Sequence, residues 1–301
     1  MKIQELLQKI EQDINKTSKQ LDKASQLLRL KEMMQIYHGE DSVVSFDEIA
    51  EKIKLNKDEL KIMSGWKGID DILGGFRLQQ VVVVSALTKS GKTSWLMDLT
   101  TRIKEYNPLW FPFEESAEEL IRKYIERGQE PPHGYTPLNI KGSTLEWIES
   151  RIIESIAKYN SRVVFIDQLD FIVPFNGDNH SLRIGQAMRE LKAIAKKWNV
   201  CIFLICHLVK TRMDTNPSLE DLKGSSSIGQ EADTVILLWR ETIKKGGEVE
   251  ITNNTNISIQ ANRRTGKTGN VKFVFDNGRF IESEWKDKDL EEIKKDEDIN
   301  F

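Results

Sequence analysis

Residues 81–95 read VVVVSALTKSGKTSW, an apolar stretch that runs into a Gly-Lys-Thr tripeptide and then a segment of helical pattern. A strand, a glycine- and lysine-bearing loop and a helix, in that order, turn backbone N–H groups and the positive end of the helix toward phosphate oxygens. In such a loop Lys92 reaches the β and γ phosphates and Thr93 holds Mg2+, with Ala86, Lys89, Ser90 and Gly91 completing the cradle. Ala86 stands where the GxxxxGK[ST] pattern has its first glycine, and its methyl group is accommodated if the local φ is negative. Lys89 adds positive charge suited to a triphosphate.

Hydrolysis also needs a metal-site acid and a base, and the chain supplies carboxylates at the ends of two apolar runs. Asp167 closes RVVFID, which puts it at the carboxyl edge of a strand, where it orients a magnesium ion or its water shell. Asp170, beyond the strand, is the second choice. Glu114 in LWFPFEES ends the run after the phosphate-loop helix and is the expected base for an attacking water. Glu115 competes with it, and the adjacent pair would also suit the start of a helix. His207 closes NVCIFLICH, in position to sense a γ phosphate. Arg263 and Arg264, in ANRRTGKTGN, follow a late strand; one of them could be offered to the γ phosphate of an adjacent subunit. Two loops are candidates for nucleic-acid contact, one ending at Arg183 and one carrying Lys210, Arg212 and Lys223.

The elements needed to hold these residues are legible in the pattern. QVVVVSA, PLWFPF, SRVVFID, NVCIFLICH and ADTVILLW are short apolar runs suited to a buried parallel sheet. Helical segments lie between several of them, including TSWLMDLTTRIKEY, TLEWIESRIIESIAKY and LRIGQAMRELKAIAKKW, which predicts an α/β fold with a mostly parallel sheet flanked by helices. ISIQANRR and GNVKFVFDNGRFIES predict terminal strands, the latter two joined by an Asp-Asn-Gly turn. Ahead of this lies a different texture. Apolar or small residues recur at Ile3, Leu7, Ile10, Ile14, Thr17, Leu21, Ala24 and Leu28, a helical stripe that fits a coiled coil, a neighbouring subunit or an intramolecular face. SFDEIAEKIKLNKDEL predicts a second helix, with Ser45 and Glu48 forming a capping box. The expected organisation is a helical arm over residues 1–60, a main domain over 61–285 and a charged tail over 286–301.

Composition sets limits on function. With 44 Lys and Arg against 47 Asp and Glu the net charge is -3, so bulk charge makes no case for nucleic acid, although a local basic channel is compatible with it. Cys201 and Cys206 lie five residues apart on one predicted strand, hence on opposite faces, which disfavours a disulfide or shared metal ligation. Histidines at 38, 133, 180 and 207 are too scattered for a zinc module. Without a signal peptide or a long apolar span, the expectation is a soluble cytoplasmic protein that does not enter membranes.

From Gly65 to Glu282 the sequence resembles the motor domain of the replicative DnaB-type hexameric helicases, a branch of the RecA-like P-loop ATPases. The resemblance is carried in order by GWKGIDDILGGFRLQQVVVVSALTKSGKT, FPFEES, VVFIDQLD, LKAIAKKWNVCIFLICHLVK, DLKGSSSIGQEADTVILLWR and ANRRTGKTGNVKFVF. It implies a RecA-like fold and hydrolysis of ATP with Mg2+ by a homo-oligomer, a hexameric ring, that moves along single-stranded DNA, with a primase or a helicase loader as further partners. Lys92 and Thr93 fall on the family's phosphate and magnesium positions, Glu114 on its catalytic glutamate, Asp167 on its second magnesium-site acid and Arg264 on its arginine finger. The family's loop commonly begins with alanine, as here. The chain departs from the pattern at His207, where glutamine is usual, at Asn262, where lysine is expected, and at Gly229, where glutamate is usual. These departures, together with a short front end, keep open a RecA-, RadA- or KaiC-like ATPase that acts without unwinding duplexes.

Overall fold

In the computed structural model, residues 2–35, 42–55, 60–86, 90–173, 180–208, 216–222, 225–245 and 248–283 are described. Lys89, Lys210, Arg212, Lys223 and the tail 286–301 lie outside them. The chain divides into two compact units between residues 59 and 60.

The first unit holds α1 (Lys2–Gln35) and α2 (Phe46–Leu55). The expected capping box closes α2: the Ser45 N–H donates to Glu48 Oε2 at 2.8 Å and the Glu48 N–H to Ser45 Oγ at 3.2 Å. Asp47 and Glu48 in its first turn and Lys52 and Lys54 in its last complement the helix dipole. Its apolar residues are not buried: Phe46, Ile49, Ile53 and Leu55 are exposed, as are Ile14, Leu21 and Leu28 of the α1 stripe.

In the second unit a small sheet of β1 (Lys61–Ile62) and β2 (Phe76–Arg77) brackets α3 (Lys67–Leu73), and β3 (Val81–Ala86) leads to α4 (Lys92–Arg102). β4 (Leu109–Pro112), α5 (Ala117–Glu126), α6 (Leu145–Tyr159), β5 (Val163–Asp167), α7 (Leu169–Ile172) and α8 (His180–Trp198) follow. The chain continues through β6 (Cys201–His207), α9 (Ser225–Glu231), β7 (Thr234–Lys245), β8 (Glu248–Asn262), β9 (Gly269–Asp276) and β10 (Arg279–Ser283). The main sheet has eight strands in the order β10-β9-β8-β7-β3-β6-β5-β4, with β7, β3, β6, β5 and β4 parallel and β7 to β10 antiparallel.

Strand alternation divides the core. Val82, Val84, Phe165, Phe203 and Ile205 pack on one face with Trp95, Leu96 and Leu99 of α4; Val81, Val83, Val164, Ile166, Ile202 and Leu204 pack on the other with Ile152 of α6, Leu191 of α8 and Ile228 of α9. Apolar residues on both faces of every central strand require helices on both sides. Cys201 and Cys206 are buried on opposite faces, as the strand period dictates, and both are free thiols. Among the described residues no helix is long and apolar enough to cross a membrane.

Three sequence readings change. Arg183 lies in the first turn of α8 and not in a loop. The stretch after His207 is not loop throughout: Leu208 pairs with Leu222, a 3-10 turn spans Leu219–Asp221, and α9 follows. β7 also runs on past Trp239 to Lys245, paired with the first part of β8, which makes a long ribbon where only a strand end is apparent in the apolar pattern.

Candidate nucleotide-binding site

The parallel strands carry the chemistry-bearing residues at one edge. Ala86 of β3 stands level with His207 of β6, and Pro112 of β4 with Asp167 of β5, so Lys92, Glu114, Asp167 and His207 follow the carboxyl ends of four strands. Crevices at this edge are where open α/β sheets bind ligands. Ala86 is the last residue of β3 and keeps an extended strand conformation; the left-handed turn falls on Gly91, at φ 88°. Only glycine adopts that conformation freely, so the demand for a glycine sits directly before the helix.

Gly91 N-caps α4 without a side-chain cap, and the Trp95 N–H bonds the Gly91 carbonyl at 2.8 Å. The N–H groups of Lys92, Thr93 and Ser94 therefore precede the first helical bond and remain available to an anion. Lys92 is buried, with Nζ 3.4 Å from the Ala86 carbonyl. Burial pushes its pKa down, while the carboxylates of Asp167 and Glu114 oppose that shift. Ser90 is also buried.

Asp167 is the most enclosed acid of the group. Its Oδ2 accepts the Thr93 hydroxyl at 2.8 Å and its Oδ1 is buried with no hydrogen-bond partner among the described residues. Burial raises its pKa to about 6, with the Thr93 hydrogen bond working against the rise and Glu114 and Glu115 adding to it. The Phe113 and Glu114 N–H groups both donate to the Asp167 carbonyl, at 2.7 and 3.1 Å. Main chain thus ties the backbone of Glu114 to that of Asp167. Glu114 is exposed, whereas Glu115 is paired with Lys123 of α5. The following helix is capped by Ser116 and Glu119, so neither glutamate of the pair is needed as its cap.

The late arginines diverge. Arg263 donates to the Gln230 carbonyl and Arg264 to the Leu73 carbonyl at the end of α3. Asn262 is buried and donates to Thr265 Oγ1 at 2.6 Å, inside the turn itself. His207 is half-buried at the strand end beside Ala86, while Asp170 lies in α7. Arg183 lies in the first turn of α8, a helix whose buried residues pack on the sheet face that α6 and α9 also cover.

Sequence reasoning missed Asp98, a carboxylate inside the buried stripe of α4. Its Oδ2 accepts the Phe280 N–H of β10 at 2.7 Å, and burial raises its pKa against the pull of that bond and of Arg102. The signal was present: an acid between Met97 and Leu99 breaks an apolar helical pattern and so needs a partner.

Relationships to known proteins are specific. Residues 138–281 match the family of the DnaB-like helicase C terminal domain. Over those residues the chain resembles that family's domain. A replicative DNA helicase DnaB of Mycoplasma genitalium is 28% identical over 287 residues, covering 79% of this chain and 61% of that protein. A replicative DNA helicase DnaC of Bacillus subtilis is 25% identical over 280 residues, covering 80% of this chain and 61% of that protein. The chain thus spans about 60% of the length of the curated relatives it matches. Among solved structures, an isolated ATPase domain superposes with a TM-score of 0.67 at 21% identity, covering 80% of this chain and all of that one. A DnaB-like replicative helicase, described with its interactions with primase, gives 0.67 at 21% identity, covering 89% of this chain and 77% of that one. At that identity the structural likeness speaks for the RecA-like P-loop fold shared by these domains.

Proposed function

We propose that this protein hydrolyses ATP at interfaces between copies of itself and uses the energy to move along single-stranded DNA and separate duplex DNA in replication. The observation that carries the ATPase part is the Thr93 hydroxyl 2.8 Å from a buried Asp167 carboxylate whose second oxygen has no partner among the described residues, with Lys92 buried as well. Two hard oxygen donors at a phosphate loop suit Mg2+, which takes few protein ligands and completes its shell with water and phosphate. Among the described residues no cluster of three or more His, Cys, Asp or Glu offers a different metal site. When bound, the ion would neutralise charge on the β and γ phosphates.

Each residue has a task in this reading. The N–H groups at the start of α4 and the Lys92 ammonium hold the phosphate chain. Glu114, exposed at the end of β4 and spaced from Asp167 by main-chain bonds, takes a proton from the attacking water as its oxygen bonds the γ phosphorus. The bond from that phosphorus to the bridging oxygen then breaks and ADP departs. Arg264 of a neighbouring copy supplies charge to the transferring group, and His207 senses the γ phosphate. Arg183, with Lys210, Arg212 and Lys223 outside the described residues, contacts DNA. The working form is a hexameric ring in the cytoplasm, joined by a primase or a loader.

One paired assay tests the whole reading: ATP turnover with and without single-stranded DNA, and strand separation on a forked duplex. Stimulated turnover with separation is expected. Stimulation without separation would move the protein to a RecA-, RadA- or KaiC-like ATPase, a reading favoured by Asn262, whose side chain is engaged inside its own turn where the family's lysine is expected.

The exposed apolar residues of α1 and α2 support a docking role for the arm on a neighbouring copy. Deleting residues 1–40 is then expected to shift the solution mass from the ring toward smaller species; an unchanged mass would exclude the arm from assembly.

A further inference from the structure

We infer that Arg127 is a second cationic contact for the bound nucleotide, reading the α phosphate at the first turn of α4. The inference rests on the nucleotide-site reading above.

Arg127 directly follows α5, and its side chain lies across the start of α4. Its Nη2 donates to Ser94 Oγ at 3.0 Å and its Nη1 lies 3.9 Å from Met97 Sδ. Ser94 is the residue after Thr93, and its N–H is the last of the three that precede the first helical bond. A phosphate chain whose γ end is held by Lys92 and Thr93 places its α end farther along this same row of N–H groups. The guanidinium lies at that end. It is partly buried, and among the described residues it pairs with no carboxylate; its side-chain contacts are a neutral hydroxyl and a thioether. A buried cation is stabilised by an anionic partner, and an arginine is suited to phosphate through its planar fork of donors.

The position of Arg127 is fixed from the far side by the turn between β9 and β10. The Asn277 side-chain amide donates to the Arg127 carbonyl at 3.0 Å, and the Gln129 amide donates to the Asn277 carbonyl at 2.8 Å. Gly278, at φ 84°, leaves room for the arginine stem: a Cβ there would fall 2.5 Å from Arg127 Cδ. Two residues on, the Phe280 ring lies 3.6 Å from where a Cβ on Gly91 would be, and the Phe280 N–H is held by Asp98 of α4. The same hairpin therefore locates both the phosphate-loop glycine and the arginine beside it. Because the clasp on the turn runs through the Arg127 main chain and the Gln129 side chain, replacing the Arg127 side chain leaves the clasp in place.

The experiment is titration of the full chain and its variants with MgADP and with inorganic pyrophosphate, which can fill the Lys92 and Thr93 end of the cradle without an esterified phosphate. Arg127→Ala is expected to weaken MgADP about 10- to 100-fold, the scale of a charge-assisted hydrogen bond, and to leave pyrophosphate within about twofold. Arg127→Lys should recover part of the loss. In turnover the Arg127→Ala variant should raise KM for ATP with kcat at saturation retained. Unchanged MgADP affinity in Arg127→Ala would overturn the inference, and so would an equal loss for both ligands, the mark of a purely structural prop. If the unsubstituted protein bound neither ligand, the nucleotide-site reading itself would fall.

Discussion

Lys92→Ala is expected to reduce ATP turnover by about 100- to 1000-fold or more while the protein keeps its fold, the range expected when one preorganised charge-stabilising group is lost. The lysine is buried at 8% exposure within electrostatic reach of the Asp167 and Glu114 carboxylates, and among the described residues its hydrogen-bond acceptor is the Ala86 carbonyl at 3.4 Å. Its removal leaves those two acids and the incoming triphosphate facing one another without compensation, so both binding and the charge stabilisation of the transition state are lost. Stability behaves differently. Holding an ammonium in a buried position carries a desolvation cost, and the pKa of Lys92 is already pushed down by it. Relieving that cost keeps the thermal midpoint of the variant near or above that of the parent. Turnover and a melting curve on one preparation check both halves: turnover within tenfold of the parent would refute the phosphate assignment, and a collapsed melting transition would mean that the lysine supports the fold.

Under the proposed assembly, Arg264→Ala should lower turnover by about 1000-fold or more, the scale seen for arginine fingers, with nucleotide affinity nearly unchanged. The guanidinium is bonded to the Leu73 carbonyl of its own chain, at the end of α3 and outside the first turn of α4. Its bond is thus to α3 and not to the start of α4, so nucleotide binding by the chain that carries it is expected to be spared. Mixing gives the decisive measurement. Lys92→Ala subunits lack a working site but retain Arg264; Arg264→Ala subunits retain the site but lack the donor. Combined before assembly, the two inactive proteins should recover turnover at junctions where an intact arginine meets an intact lysine. Failure to recover activity, in mixtures shown to co-assemble, would rule out donation between copies.

The parallel half of the fold was the easiest part to read. VVVVSA, VVFID and CIFLIC are apolar almost without interruption because both sheet faces are covered, and their ends place Lys92, Asp167 and His207 directly. The antiparallel half was harder. The ribbon of β7 and β8 beyond Trp239 carries Arg240, Glu241, Lys244, Lys245 and Glu248, a polar run whose partner is another strand and not the core, so hydrophobic periodicity is silent there. α9 was missed for a related reason. Among its described side chains SSSIGQE buries Ile228, with Ala232 just beyond it, and serine and glycine favour turns over helices on propensity alone. At the site, residue types were legible but junctions were not. Nothing in the spacing of Arg127, Asn277 and Ser94 announces that a residue after α5, a hairpin turn and the start of α4 meet.

The two N–H groups that grip the Asp167 carbonyl have a wider consequence. Because Phe113 and Glu114 are tied to β5 by peptide atoms, the main-chain interval between Glu114 and Asp167 does not depend on which side chains stand at Phe113 or Gln168. Under the proposed mechanism the adjustable member is Arg264, whose bond in this structure is to the neutral Leu73 carbonyl and can be exchanged for a phosphate oxygen at modest cost. Under that mechanism, timing is then set by the arrival of a neighbour's charge, against two acids held to one main-chain interval.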